Sequence, residues 1–163
     1  MTTQQPPYPY HMRPAQPADR TQVQELVRSV LVEYGLPPDR SGVDADLATV
    51  PNSYTEQGGF FGVIEDDEQN IVGTFGLYPL SETTAEVRKM YLKPRTRGFG
   101  LGNYMLHYLI DLACEKGYNV LQLETASALK EAIILYEKRG FKKLDKNPDV
   151  SRCDAVYELR LKT

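Results

Sequence analysis

The residues best suited to chemistry in this chain are Arg97-Gly98-Phe99-Gly100-Leu101-Gly102. Glycines let backbone N–H groups converge on one point, and a helix starting there aims the positive end of its dipole at the same space. An arginine at the rim adds a charged donor. Strand, glycine-dense turn and helix together make a phosphate-binding layout, one that several nucleotide folds share. The flanks supply the elements that must position it. Ala85 to Leu92 reads as a strand ended by Pro94, and Asn103 to Lys116 carries Leu106, Leu109, Ile110 and Ala113 at one-face helical spacing. The glycine spacing fits neither the dinucleotide fingerprint nor the P-loop, which ends in Gly-Lys-Ser/Thr. No His, Asp and Ser set and no metal-ligand cluster is visible, so hydrolytic triads and metal catalysis have no support.

Arg-x-x-Gly-x-Gly resembles the acyl-coenzyme A pyrophosphate loop of the GCN5-related N-acetyltransferase (GNAT) family. Downstream, Ala132-Ile133-Ile134-Leu135-Tyr136-Glu137-Lys138-Arg139-Gly140-Phe141 is similar to a second segment of that family. The resemblance spans roughly Arg13 to Leu161, at motif strength from Glu86 to Phe141. It implies acetyl-CoA as cosubstrate and no metal. Backbone N–H groups of Arg97, Gly98, Phe99, Gly100, Leu101, Gly102 and Asn103 would hold its pyrophosphate. The backbone of Met90, Tyr91 and Leu92 would pair with the pantetheine and supply an oxyanion donor. Tyr136 would protonate the departing thiolate. Many relatives carry asparagine where this chain has Leu129, which leaves less support for the pantetheine.

Acetyl transfer to an amine needs the ammonium, with a pKa near 10.4, to lose its proton. Two glutamates occupy family base positions, Glu86 and Glu124. Glu86 is preferred, with ion pairing to Arg88 or Lys89 as its structural alternative and pairing to Lys130 as that of Glu124. A base acting through water, or none, stays open.

The remaining elements follow from patterning. Residues 1–12, with Pro6, Pro7 and Pro9, read as a flexible Pro-rich arm, and an edge strand is possible near Tyr10 to Arg13. Residues 13–163 read as a single N-acetyltransferase domain. Asp19 is expected to cap a first helix through a capping box with Gln22, and Val23, Leu26, Val27, Val30, Leu31 and Tyr34 form its buried stripe. A short helix is expected near Asp44 to Thr49. Strands are expected over Phe60–Ile64, Ile71–Tyr78, Glu86–Leu92, Val120–Thr125 and Asp154–Leu161, with a last helix through Leu129, Ala132, Ile133 and Tyr136. The fold class is α/β: a central, mostly antiparallel mixed sheet with helices on both faces.

At 163 residues, 41% hydrophobic and 25% charged, the chain has the composition of a globular protein. A net charge of −3 gives no footprint for nucleic acid, and no apolar run suits a membrane. Cys114 and Cys153 form no metal or disulfide pattern, and the expected location is cytoplasmic. The expected function is transfer of acetyl from acetyl-CoA to a primary amine, on a small molecule or a peptide, directly within a ternary complex. The alternatives are a non-catalytic acyl-CoA sensor and a transferase of longer acyl groups. Homodimers, common in the family, are possible here. Residues 36–54, the Tyr78–Thr84 turn and the Lys142–Arg152 loop are expected to select the acceptor, with Lys143, Asp145, Asp149 and Arg152 as candidate contacts.

Overall fold

The computed structural model describes residues 4–162; residues 1–3, the start of the expected arm, lie outside the described residues. Its strands are β1 (His11–Pro14), β2 (Phe60–Glu65), β3 (Ile71–Pro79), β4 (Thr84–Leu92), β5 (Val120–Thr125), β6 (Lys142–Leu144) and β7 (Ala155–Arg160). They form one sheet in the order β1-β2-β3-β4-β5-β7-β6. Each neighbouring pair is antiparallel except β4 and β5, which run parallel. The helices are α1 (Arg20–Glu33), α2 (Asn52–Thr55), α3 (Leu101–Glu115) and α4 (Lys130–Lys138), with a 3-10 helix at Ala45–Thr49.

Strand alternation sorts the core into two layers. Phe61 and Val63 pack with Val23, Leu26, Val27, Val30 and Leu31 of α1. Ile64, Val72 and Phe75 pack with Leu101, Met105, Leu106 and Leu109 of α3. The sheet is therefore sandwiched. β3 is buried from Ile71 through Leu77, and its near-continuous apolar run is what a strand covered on both faces requires.

Three local expectations change. Asp19 does not cap α1: its carboxylate accepts from the Gln16 N–H at 2.7 Å and pairs with Arg13 at 2.7 and 2.9 Å. An arginine on the adjacent strand outcompetes the helix for that carboxylate, and Gln22 instead accepts from the Ile71 N–H. The Lys142–Arg152 segment is not all loop, because its first three residues pair with β7 as β6. The edge strand near Tyr10 to Arg13 runs one residue later, as β1 on β2. Ahead of it the chain turns through a Tyr10 N–H to Pro7 carbonyl bond of 2.9 Å.

The site is opened by a defect in the sheet. β4 and β5 pair only over Thr84–Val120, Ala85–Leu121 and Glu86–Gln122. Beyond Glu86 they part, because β4 bulges: its register on β3 slips between Thr74 and Gly76, and Lys89 takes a left-handed φ of 53°. Thr74 Oγ1 fixes the bulge by donating to the Lys89 carbonyl at 2.7 Å.

Candidate active site

The glycine turn follows a 3-10 turn at Pro94–Thr96, and both Gly98 (φ 86°) and Gly100 (φ 89°) are left-handed. Gly100 is the N-cap of α3, whose first residue, Leu101, comes two positions earlier than the periodicity predicts. The first helical bond runs from the Tyr104 N–H to the Gly100 carbonyl. The N–H groups of residues 98–103 donate to no acceptor among the described residues. Six amides therefore face outward at a helix start. Gly102 is small for another reason: a Cβ there would lie 3.3 Å from Leu135 of α4. A Cβ on Gly100 would come within 3.7 Å of Pro7. Phe99 is exposed, and the Asn103 side-chain oxygen accepts from Arg139 at 3.1 Å, tying α3 to the end of α4.

Arg97 is placed differently from the free rim donor expected. Its guanidinium grips Glu33 at 2.6 and 2.9 Å and the Leu92 carbonyl at 2.8 Å, with the Tyr34 ring 5.3 Å away. It fastens the end of α1 to the β4–α3 turn. The partner lies 64 residues upstream, beyond the reach of any local sequence pattern.

Two clefts meet where β4 and β5 part. One, of about 670 Å³, is walled by Tyr34, Met90, Leu92, Gly98, Leu129 and Leu135, and opens onto the glycine turn. The other, of about 1290 Å³, is polar and is walled by Asp46, Glu86, Arg88, Glu124, Lys146 and Cys153. Tyr91 lines both. Burial pushes its phenol up to about 12, against the opposing pull of the neighbouring Arg152.

Tyr136 of α4 is buried, with its ring tilted at 58° against Phe141 and the centroids 5.8 Å apart. Its hydroxyl has no hydrogen-bond partner among the described residues. Burial raises its pKa, and the nearby Tyr91 and Cys153 add to the rise, so at neutral pH it keeps its proton. The glutamates lie in the polar cleft. Burial raises Glu86 above the usual carboxylate value, the ion pair with Arg88 opposes this, and the charge of Glu124 adds to the rise. Glu124 accepts the N–H groups of Asp149 at 3.0 Å and Val150 at 2.9 Å, which anchors the loop after β6; Lys130 is not its partner.

Several residues of this region carry no sequence signal. Lys89 is buried and reaches Asp44 at 3.2 Å, Asp46 at 3.3 Å and the Val43 carbonyl at 3.0 Å. Arg152, one of the expected acceptor contacts, pairs with Asp44 at 2.6 and 2.8 Å and so bridges the two loops over the cleft. Asp46 also accepts from the Tyr54 hydroxyl. Cys153 faces the cleft with its thiol pushed up to about 11 by burial and the nearby Glu124, so it remains protonated near neutrality. Among the described residues no cluster of metal-ligand type is present, and no helix is long and apolar enough to cross a membrane.

The acetyltransferase (GNAT) family profile matches residues 24–141. The chain belongs to that family. The N-acetyltransferase YjgM of Escherichia coli is 36% identical over 132 residues, covering 78% of each chain. An acetyltransferase of the GNAT family from Staphylococcus aureus Mu50 superposes with a TM-score of 0.88 at 23% identity, over 94% of this chain and 99% of that one. YncA of Salmonella typhimurium, solved with its cofactor acetyl-CoA, superposes with a TM-score of 0.76 at 23% identity, covering 94% of each. This GNAT chain is thus an acetyltransferase with the family's mixed sheet.

Proposed function

We propose that the protein transfers acetyl from acetyl-CoA directly to an amine, with donor and acceptor bound together on opposite sides of Tyr91. The observation that carries this is the set of outward N–H groups at residues 98–103, next to an apolar-walled cleft that reaches Tyr91. Unpaired amides at a helix start suit a pyrophosphate, and a groove beside an unpaired stretch of β4 suits an extended pantetheine arm. The amides of Gly98, Phe99, Gly100, Leu101, Gly102 and Asn103 would bind the phosphates. Arg97 would act by holding the turn in place. Met90, Tyr91 and Leu92 would flank the pantetheine.

The chemistry follows from the charges on each side. The acceptor ammonium gives its proton to Glu86, whose raised pKa makes it a better base than an ordinary surface carboxylate. The neutral amine attacks the thioester carbonyl, forming a C–N bond and an oxyanion. N–H groups on β4 beyond the bulge, without β5 partners, can stabilise that oxyanion. Collapse breaks the C–S bond, Tyr136 gives its phenol proton to the thiolate, and the nitrogen sheds its second proton as the amide forms, a proton that returns to the Tyr136 phenolate through solvent. A protonated Cys153 is a poor nucleophile, which favours direct transfer over an acetyl-enzyme. Glu124 is engaged by two amides and is assigned to loop anchoring.

Calorimetric titration with acetyl-CoA, followed by thiol release across an amine panel, tests the reading. Saturable binding with release dependent on amine is expected. No binding at all would overturn it. Among base variants, Glu86→Gln should lower kcat more than Glu124→Gln does.

A further inference from the structure

We infer that the acceptor carries a carboxylate beside its amine, as an α-amino acid does, and that Arg88 is the residue that receives it. This deepens the functional reading above and rests on it. The polar cleft contains four cations, and their partners differ. Lys89 is taken by Asp44, Asp46 and the Val43 carbonyl. Both terminal nitrogens of Arg152 are taken by Asp44. Lys146 is exposed on its loop and held by nothing among the described residues. Arg88 alone is both held and open. Its Nε donates to Glu86 and its guanidinium carbon lies 3.9 Å from the centre of the Tyr78 ring. Its two terminal nitrogens make no hydrogen bond among the described residues, although the charge of Asp46 also acts on the guanidinium, and about a third of the side chain is exposed, 31%.

A guanidinium oriented on one edge and stacked on an aromatic ring presents a rigid pair of donors that matches a carboxylate. The opposite charges are arranged to suit the other half of such a molecule. Glu86 is two residues away on the same face of β4, and Glu124 lies near enough on β5 to raise the Glu86 pKa. One end of the site is therefore cationic and the adjacent part anionic, the pattern of a zwitterion. A protein N-terminus lacks a carboxylate next to its amine and would leave Arg88 unmatched, so the arrangement disfavours protein termini.

The test compares matched acceptors on the wild-type protein: a panel of α-amino acids, each with its primary amide and its decarboxylated amine. Thiol release from acetyl-CoA gives kcat/KM, and calorimetry on coenzyme A-saturated protein gives acceptor affinity. A charge-assisted bidentate contact predicts a preference of about 30-fold for the carboxylate over the amide. In Arg88→Lys the preference should fall to a few fold and in Arg88→Met it should vanish, with acetyl-CoA affinity unchanged in both. The Lys variant keeps the charge beside Glu86, and the comparison among ligands needs no variant. Amides or amines that serve as well as the acids overturn the inference, as does a preference that survives Arg88→Met. Failure of acetyl-CoA to bind instead overturns the functional reading, and that measurement is independent of the acceptor pairs.

Discussion

Replacing Lys89 with Met tests whether the polar cleft, the proposed acceptor site, is held together by a buried charge. The Lys89 side chain is 5% exposed, and its ammonium serves Asp44 and Asp46, whose side chains are 6% and 14% exposed. Asp44 keeps Arg152 after the substitution, but among the described residues the Asp46 Oδ1 has no hydrogen-bond partner even now and would lose the ammonium paired with it at 3.3 Å, leaving only the weaker influence of the Arg88 charge. Removing one member of a buried ion pair costs about 3–5 kcal/mol, and the retained Arg152 argues for the lower end. For a chain of this size a 3 kcal/mol loss lowers the Tm by about 6–12 °C. Thermal and urea unfolding measure it, with acetyl-CoA affinity and acceptor KM measured alongside. Acceptor KM should rise, because Lys89 ties the loop carrying Asp44 and Asp46 to β4, while coenzyme affinity should hold. In an Asp46→Asn background the same substitution should cost less, since a neutral amide does not need the cation. A loss below about 1 kcal/mol, or an equal loss in both backgrounds, would refute the reasoning.

Three further outcomes are expected. Tyr136→Phe should lower kcat on the order of 100-fold with little change in Tm or acetyl-CoA affinity, because the hydroxyl makes no hydrogen bond among the described residues that its loss would break; unchanged turnover removes it from the mechanism. Gly100→Val should raise the Kd for acetyl-CoA in calorimetry, since a β-branched residue at φ 89° is strained and would redirect the amides; an unchanged Kd places the phosphates elsewhere. Burial opposes ionisation of Asp44, but the Arg152 donors, the Asp39 amide and the Lys89 charge outweigh it and hold the carboxyl down to about 2. A depressed carboxylate stabilises above its unfolded pKa and loses that stabilisation as pH falls through the folded one. About 2 kcal/mol should therefore disappear between roughly pH 4 and pH 2, and Asp44→Asn should flatten that part of the pH–stability curve.

What the sequence disclosed was local, and what it hid depended on distant partners. Apolar spacing located β3, β5, α1 and α4 within a residue or two, and the glycine turn with its following helix was legible because both signals are contiguous. The Asp19 cap failed since a carboxylate three residues from one donor and six from an arginine can serve either, and strand pairing decides. β6 was missed because Lys142 and Lys143 are exposed and offer no alternation over three residues. The clasp of Lys89, Asp44 and Arg152 joins positions up to 108 residues apart. Each looks like an ordinary surface charge until the sheet brings them together. The pairing of Glu86 with Arg88 was legible at i,i+2, but the Tyr78 ring beneath the guanidinium comes from another strand.

The approach of Pro7 to Gly100 has a practical consequence for handling the protein. Six residues of extended chain reach at most about 20 Å, so any fusion placed ahead of Met1 starts within about that radius of the glycine turn proposed to hold the phosphates. A purification handle with acidic residues there would compete for the same amides and depress apparent coenzyme affinity. One attached after Thr163 would not, because β7 ends level with the start of β4 and the glycine turn follows the other end of β4.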